Sequence, residues 1–168
     1  MAPRLLLIFI AFALVAPACD GGVTGAVTGA GKVTAPRIQI PDQILGLKVT
    51  SEDVTEQVQE VERPYLDAVS MFSLREEDLL RATLQVSRFN RLGRPGSASF
   101  RRQVTAQMGG SVTEELRIED LVVYTTSGAQ QKVYAWIEDR GFFVLSVHED
   151  FEFPRTLLRR VVNLDIEL

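Results

Sequence analysis

Short segments in which every second side chain is apolar recur along the chain. In residues 80–87 the apolar side chains are Leu80, Ala82, Leu84 and Val86, and polar side chains lie between them. A period of two is typical of a β-strand that buries one face. By this criterion and by short apolar runs, we predict further strands at residues 47–49, 69–74, 116–124, 132–138 and 142–147.

One of these strands changes phase along its length. Leu116 and Ile118 are out of step with Leu121 and Val123. An extra residue in a strand produces such a shift, so we predict a bulge near Asp120.

Two of the connections carry turn signals. Residues 75–78 are charged and should turn the chain between two antiparallel neighbours. Residues 139–141 read Asp-Arg-Gly, which predicts a three-residue turn with the glycine at a positive φ.

Apolar residues spaced by three or four positions predict three helices. The first begins at Thr50 or Ser51 and ends at Glu62, the second runs from Ser97 to Met108, and the third begins at Pro154. Serine and threonine cap helices, and proline suits the first helical turn. Antiparallel strands interspersed with helices indicate an α+β fold, in which residues 38–168 form a single globular domain with helices packed on a sheet.

The order of these elements over residues 38–166 resembles that of the PsbP-like α/β/α sandwich. Several exported lipoproteins of high-GC Gram-positive bacteria are similar to that plan. The resemblance implies a sheet with helices on both faces. Because no single motif carries it, it implies no functional residues.

The first residues have the pattern of an export signal. Arg4 precedes twelve residues without a polar side chain, residues 5–16. A helix of that length spans roughly 18 Å, well short of the ~30 Å hydrocarbon core of a membrane. A charged start, a short apolar run and small residues after it predict a signal peptide over residues 1–18.

Two interpretations of the cleavage site remain open. Ala16-Pro17-Ala18 fits the small-x-small pattern of ordinary signal peptidase, which would give a secreted protein. Followed by Cys19, the only cysteine, the same residues resemble the lipobox of bacterial lipoproteins, although Ala16 and Pro17 depart from its usual pattern. The resemblance implies that Cys19 carries lipid and anchors the chain to the outer face of the cytoplasmic membrane. A lone cysteine has no partner for an internal disulfide, which favours this interpretation.

Residues 19–37 continue from this cysteine as a predicted flexible tether. They are rich in glycine, alanine and threonine, and they contain VTGA twice in succession. Such a segment cannot bury enough surface to offset the entropy of ordering it. Without residues 1–18, which hold one arginine and no acid, 17 basic residues face 22 acidic ones, a net charge of −5. We therefore expect no nucleic-acid partner.

Few residues offer catalytic or metal-binding chemistry. His148 is the only histidine, and it lies beside Glu149 and Asp150. Metal sites usually need two or more nitrogen or sulfur ligands, so we expect no metal or other cofactor. The sequence has neither a G-x-S-x-G motif nor a phosphate-binding glycine loop. Adjacent carboxylates such as Glu114 and Glu115 would point to opposite faces of a strand.

Two groups of residues are candidates for a binding surface. Five arginines lie within fifteen residues, interleaved with phenylalanine: Arg88, Arg91, Arg94, Arg101 and Arg102. They suit anionic lipid headgroups, wall polymers or an acidic partner, unless they form only a solvated loop and helix start. Tyr134 and Trp136 share one face of their strand and form either an exposed recognition pair or a face covered by a second layer.

The sequence thus predicts a non-catalytic lipoprotein that binds an envelope protein or polymer. One alternative is a carrier or sensor of a small apolar ligand held between sheet and helices. A more distant alternative is an envelope hydrolase that uses scattered carboxylates.

Overall fold

The computed structural model describes residues 38–54, 66–90, 114–127 and 130–166. These residues form eight strands in one fully antiparallel sheet and one helix that follows all the strands. Along the sheet the strands lie in the order β1-β2-β3-β4-β8-β7-β6-β5. Their bounds are β1 Gln43–Ile44, β2 Leu47–Asp53, β3 Leu66–Glu76, β4 Leu79–Phe89, β5 Glu114–Ile118, β6 Leu121–Ser127, β7 Gln131–Glu138 and β8 Gly141–His148, and α1 is Pro154–Val162.

The α+β prediction is wrong. Of the described residues, 65% lie in strands and 10% in the single helix, so the fold is β-rich. The prediction of a helix starting at Thr50 or Ser51 is wrong for its first residues. These residues belong to β2, which continues through Asp53 and pairs with β3. The rest of that prediction and the predicted helix from Ser97 to Met108 lie outside the described residues.

The strands predicted from alternation are confirmed. β4 pairs with β3 as an antiparallel neighbour, and β7 and β8 pair from Gln131–His148 to Glu138–Gly141. The last helix is also confirmed. It begins with Pro154 at its first position, after an N-cap residue, Phe153, that makes no side-chain capping bond. These elements were predictable because each carries a complete local pattern of its own.

The turn predicted within residues 75–78 is confirmed at Glu77 and Asp78, between β3 and β4, whereas the other two turns differ from the sequence predictions. The predicted bulge near Asp120 is a hydrogen-bonded turn at Glu119 and Asp120 that separates β5 from β6. The predicted three-residue turn has only two residues, Asp139 and Arg140, and Gly141 already pairs as the first residue of β8. Glu119 and Asp139 take the positive φ values, 54° and 49°. A hairpin turn therefore explains the phase change between Leu116 and Leu121 without a bulge.

The main core lies between one face of the sheet and α1. This face, called the helix face, carries Trp136 and Tyr134 at its centre, and Leu157, Leu158 and Val161 of α1 are fully buried against it. The opposite face holds a second, smaller cluster: Phe89, Val133, Ala135, Phe142 and Val144. Strands β7 and β8 are thus buried on both faces.

The sheet curls around the helix. In a flat sheet, seven strand spacings of about 4.8 Å would separate β1 from β5 by roughly 34 Å, whereas a helix with its side chains is about 10 Å wide. Yet α1 contacts β1, and Arg155 of α1 forms an ion pair with Glu114 of β5. Both ends of the sheet therefore approach the same helix.

Leu45 offers a test of the backbone geometry. In the turn between β1 and β2, Leu45 has φ 50° and Gly46 has φ 80°. A leucine in this left-handed region costs roughly 1–2 kcal/mol, whereas asparagine tolerates it better. We expect Leu45→Asn to raise the free energy of unfolding by about 0.5–1 kcal/mol, measured by denaturant titration.

Gly46→Ala is the matched control for this prediction. A Cβ at Gly46 would meet no atom within 4 Å, so only the positive φ penalises alanine. We expect this variant to lose about 1 kcal/mol. A loss of stability in Leu45→Asn would contradict the assigned turn.

Candidate functional site

The aromatic pair singled out in the sequence lies inside the core. Tyr134 is 0% and Trp136 is 1% exposed, because α1 covers the face of β7 that carries them. The indole of Trp136 stacks on the ring of Phe143, with centroids 5.1 Å apart and an interplanar angle of 4°. Of the two expected arrangements, the covered one is found, and the pair does not form an exposed recognition surface.

Two polar atoms in this buried layer lack hydrogen-bond partners among the described residues. They are the hydroxyl oxygen of Tyr134 and the indole nitrogen of Trp136. Burial raises the pKa of the Tyr134 phenol, the Arg155 guanidinium lowers it by less, and Glu114 raises it slightly further. This layer is held by packing and stacking and gains nothing from these two polar atoms.

A first cleft, called the acidic cleft, opens where α1 ends beside the turn between β7 and β8. Its volume is about 110 Å³, and Trp136, Phe143 and Val161 contribute to its walls. Glu138, Asp139 and Asp165 place three carboxyl groups around it. Partial burial raises the pKa of Glu138, and the neighbouring Asp139 raises it further.

A second cleft, called the edge groove, separates β5 from α1. Its volume is about 70 Å³. It is lined by residues of both elements: Leu116, Arg117 and Ile118 of β5, and Arg155, Leu158 and Arg159 of α1. Because side chains alternate along a strand, the Arg117 side chain lies on the opposite face of β5 from Leu116 and Ile118. The groove exists because the outermost strand of the curled sheet passes alongside the helix.

The arginine-rich segment is only partly described. Arg88 lies near the end of β4 and faces Asp67, with 3.6 Å between the guanidinium and the carboxylate. Its side chain is only 13% exposed. Arg91, Arg94, Arg101 and Arg102 lie outside the described residues. The structure therefore gives Arg88 a partner within the sheet and does not test the predicted cluster.

His148 lies at the end of β8, and its side chain is 44% exposed. Its Nδ1 is 3.3 Å from the carboxylate of Asp150 and 3.4 Å from the backbone nitrogen of the same residue. The described part of the chain contains no group of three or more His, Cys, Asp or Glu side chains placed to hold a metal ion. Within the same ranges, no helix is both long and apolar enough to cross a bilayer.

Neither cleft was predicted from the sequence. The edge groove joins Leu116 and Ile118 to Leu158 and Arg159, about forty residues later in the chain. Its signal was the pair of arginines on α1 outside the apolar stripe, Arg155 and Arg159. The acidic cleft likewise joins the turn at Asp139 to the segment after α1. Neither combination follows from local periodicity.

Tyr134→Phe tests the buried hydroxyl. Because this hydroxyl has no partner among the described residues, its removal should change the free energy of unfolding by less than about 1 kcal/mol or raise it. Tyr134→Ala, which also removes the ring, should lose about 3–5 kcal/mol. Denaturant titration distinguishes the two, and a large loss in Tyr134→Phe would show that the hydroxyl is hydrogen-bonded after all.

Glu138→Gln tests the acidic cleft through pH. The folded state raises the pKa of Glu138 above its usual 4.5, so the stability contributed by this carboxyl is present below pH 4.5 and lost as pH rises through the folded value. We expect the variant to be more stable than the native chain at pH 7 and to lose that advantage at pH 4.

The matched control is Glu149→Gln, which changes an exposed carboxyl at the opposite end of β8. It should show no such crossover when both variants are titrated with urea at the two pH values. An equal effect of the two variants would mean that general charge repulsion, and not the cleft, sets the pH dependence.

Comparisons of the chain with protein-family models, with curated proteins and with solved structures find no match.

Proposed function

We propose that this protein is an exported lipoprotein, held on the outer face of the cytoplasmic membrane by lipid on Cys19. The domain that begins at Ile38 acts there as a non-catalytic binding or adaptor module for another component of the cell envelope.

The main support for this proposal is the succession of segments in the first 37 residues. An apolar run too short to cross a bilayer is followed by Ala16-Pro17-Ala18, the only cysteine and a segment rich in glycine, alanine and threonine. Lipid on Cys19 accounts for both the number and the position of the cysteine. One acyl chain binds a membrane only weakly, so stable anchoring requires more than one chain on this residue.

The length of the tether suits a domain that works close to the membrane. The eighteen residues 20–37 have a root-mean-square reach of roughly 20–25 Å. Ile38, the first described residue, is buried in the main core. A tether of this reach that ends at residue 37 holds the domain within about its own diameter of the headgroups.

The geometry gives less support to the two alternatives. Pockets for small ligands usually enclose about 300 Å³ or more, and the two clefts described above have volumes of about 110 Å³ and 70 Å³. They favour contact with single side chains of a partner over enclosure of an apolar ligand. A hydrolase would depend on scattered carboxylates, and the chain has one histidine to assist them. Turnover of an envelope substrate that His148→Ala abolishes would refute the non-catalytic proposal.

Cys19→Ala tests the anchor. Without the acyl acceptor, the chain should either appear in the medium or remain at the membrane only with its leader still attached. Cell fractionation with immunodetection and an intact-mass spectrum provide the measurement. The control is Thr24→Ala in the tether, which should remain in the membrane fraction.

A variant that stays membrane-bound with its leader removed would contradict the proposal. A native mass that begins at Met1, or at Cys19 without lipid, would do the same. Cross-linking in intact cells, followed by identification of the neighbour, then tests the binding role separately from the anchor.

A further inference from the structure

We propose that β5 and the edge groove bind an extended acidic polypeptide segment, which adds to the sheet as a ninth, antiparallel strand. This inference rests on the proposed function, because it names the kind of partner that the binding module takes. The inference is based on the position of β5, the direction of its backbone groups and the lining of the groove.

The first observation is the position of β5. It is the last strand in the order of the sheet, and among the described residues it pairs only with β6. An edge strand presents a row of backbone donors and acceptors that can pair with another chain. Recognition by strand addition uses these groups for affinity and adjacent pockets for specificity.

The register shows which backbone groups face outward. A hydrogen-bonded turn at Glu119 and Asp120 makes Ile118 and Leu121 the closing pair of the β5–β6 hairpin. Because hydrogen-bonded and non-hydrogen-bonded pairs alternate along an antiparallel ladder, Leu116 also bonds to β6, whereas Glu115 and Arg117 do not. The N–H and C=O groups of Glu115 and Arg117 therefore point to the free side of β5.

The second observation is the groove beside this free side. Leu116, Ile118 and Leu158 give it an apolar floor. Its volume is about 70 Å³, well below that of a pocket that encloses a small-molecule ligand. It admits one small aliphatic side chain from an added strand, so we expect valine or a residue of similar size there.

The third observation is the charge of the groove. Arg155 and Arg159 lie one helical turn apart, about 6 Å along the axis. Arg155 is paired with Glu114 at 3.7 Å, but both side chains are largely exposed, and such pairs exchange readily. Arg159 has no ion pair among the described residues. Two arginines beside the groove favour carboxylates on the incoming segment.

The spacing of side chains along a strand predicts which residues of the added segment meet the groove and the arginines. Alternate side chains of a strand lie on the same face about 6.6 Å apart, so a carboxylate two residues from the aliphatic residue lies about that far from the groove. A segment with a carboxylate two residues before and two residues after an aliphatic residue places a carboxylate near the arginines.

The test uses the full chain in detergent micelles and a labelled seven-residue peptide, acetyl-Thr-Glu-Thr-Val-Thr-Glu-Thr-amide. We expect saturable binding by fluorescence anisotropy. At saturation, hydrogen exchange at the amides of Glu115 and Arg117 should slow at least tenfold, while exchange at Leu116 stays unchanged. The same peptide with lysine in place of both glutamates should bind at least tenfold more weakly.

Two matched pairs of variants separate the backbone from the charges. Arg117→Pro removes an outward N–H and should weaken binding at least tenfold, whereas Arg117→Ala keeps that N–H and should weaken it less than threefold. Arg159→Glu should weaken binding at least tenfold, whereas Arg160→Glu, on the same helix but outside the groove, should weaken it less than threefold.

A peptide N-methylated at its two central threonines provides a second test of the backbone pairing. It uses the unaltered chain, so it remains valid if Arg117→Pro fails to fold. In the antiparallel register these threonines lie opposite Glu115 and Arg117, so methylation should abolish binding to the unaltered chain. Equal binding of the methylated or the lysine peptide would overturn the proposal, as would absence of binding. Protection of Glu115 and Arg117 that grows with protein concentration alone would identify a second copy of the chain as the occupant, and this would also overturn it.

The result is independent of the anchor. The chain in micelles tests the groove whether or not Cys19 carries lipid. Failure of peptide binding would leave the Cys19 experiment unaffected, and loss of the anchor would leave the groove intact.

Discussion

Tyr134 and Trp136 are buried only because α1 lies across the face of the sheet that carries them. Each large aromatic side chain removes about 150–250 Å² from water, which stabilises the fold by roughly 4–6 kcal/mol at 25 cal/mol per Å². This is comparable with the whole net stability of a typical domain, about 5–15 kcal/mol. The stack of Trp136 on Phe143 fixes the centre of the sheet, and the curl of the outer strands follows from their contact with the same helix.

The candidate sites are consequences of this arrangement. A helix that fills the concave side of a curled sheet leaves narrow openings at its end and along its flank. The acidic cleft lies at the end, beside Asp139, and the edge groove lies along the flank, beside β5. Both openings are small because the same side chains that line them also seal the core. Contact with an external strand or side chain suits such openings better than enclosure of a whole ligand.

The parts of the fold that follow from local pattern could be predicted, and those that depend on distant contacts could not. β4 and α1 each carry a full period in their own sequence, so their existence was predictable. The second half of β2 carries the signals of a helix start, a capping residue at Thr50 or Ser51 with acidic residues after it, yet pairing with β3 outweighs that weak preference. The turn at Glu119 and Asp120 escaped prediction because it contains no glycine, proline or asparagine. The edge groove required the order of the sheet, which no single segment encodes.

The place of α1 in the chain has a consequence for how the protein matures. Every strand precedes it, and it contacts β1, the first of them. During synthesis, which proceeds from the first residue to the last, the apolar face around Trp136 stays open until Pro154–Val162 emerges. A chain cut before Pro154 would therefore keep that face exposed to chaperones, proteases and aggregation.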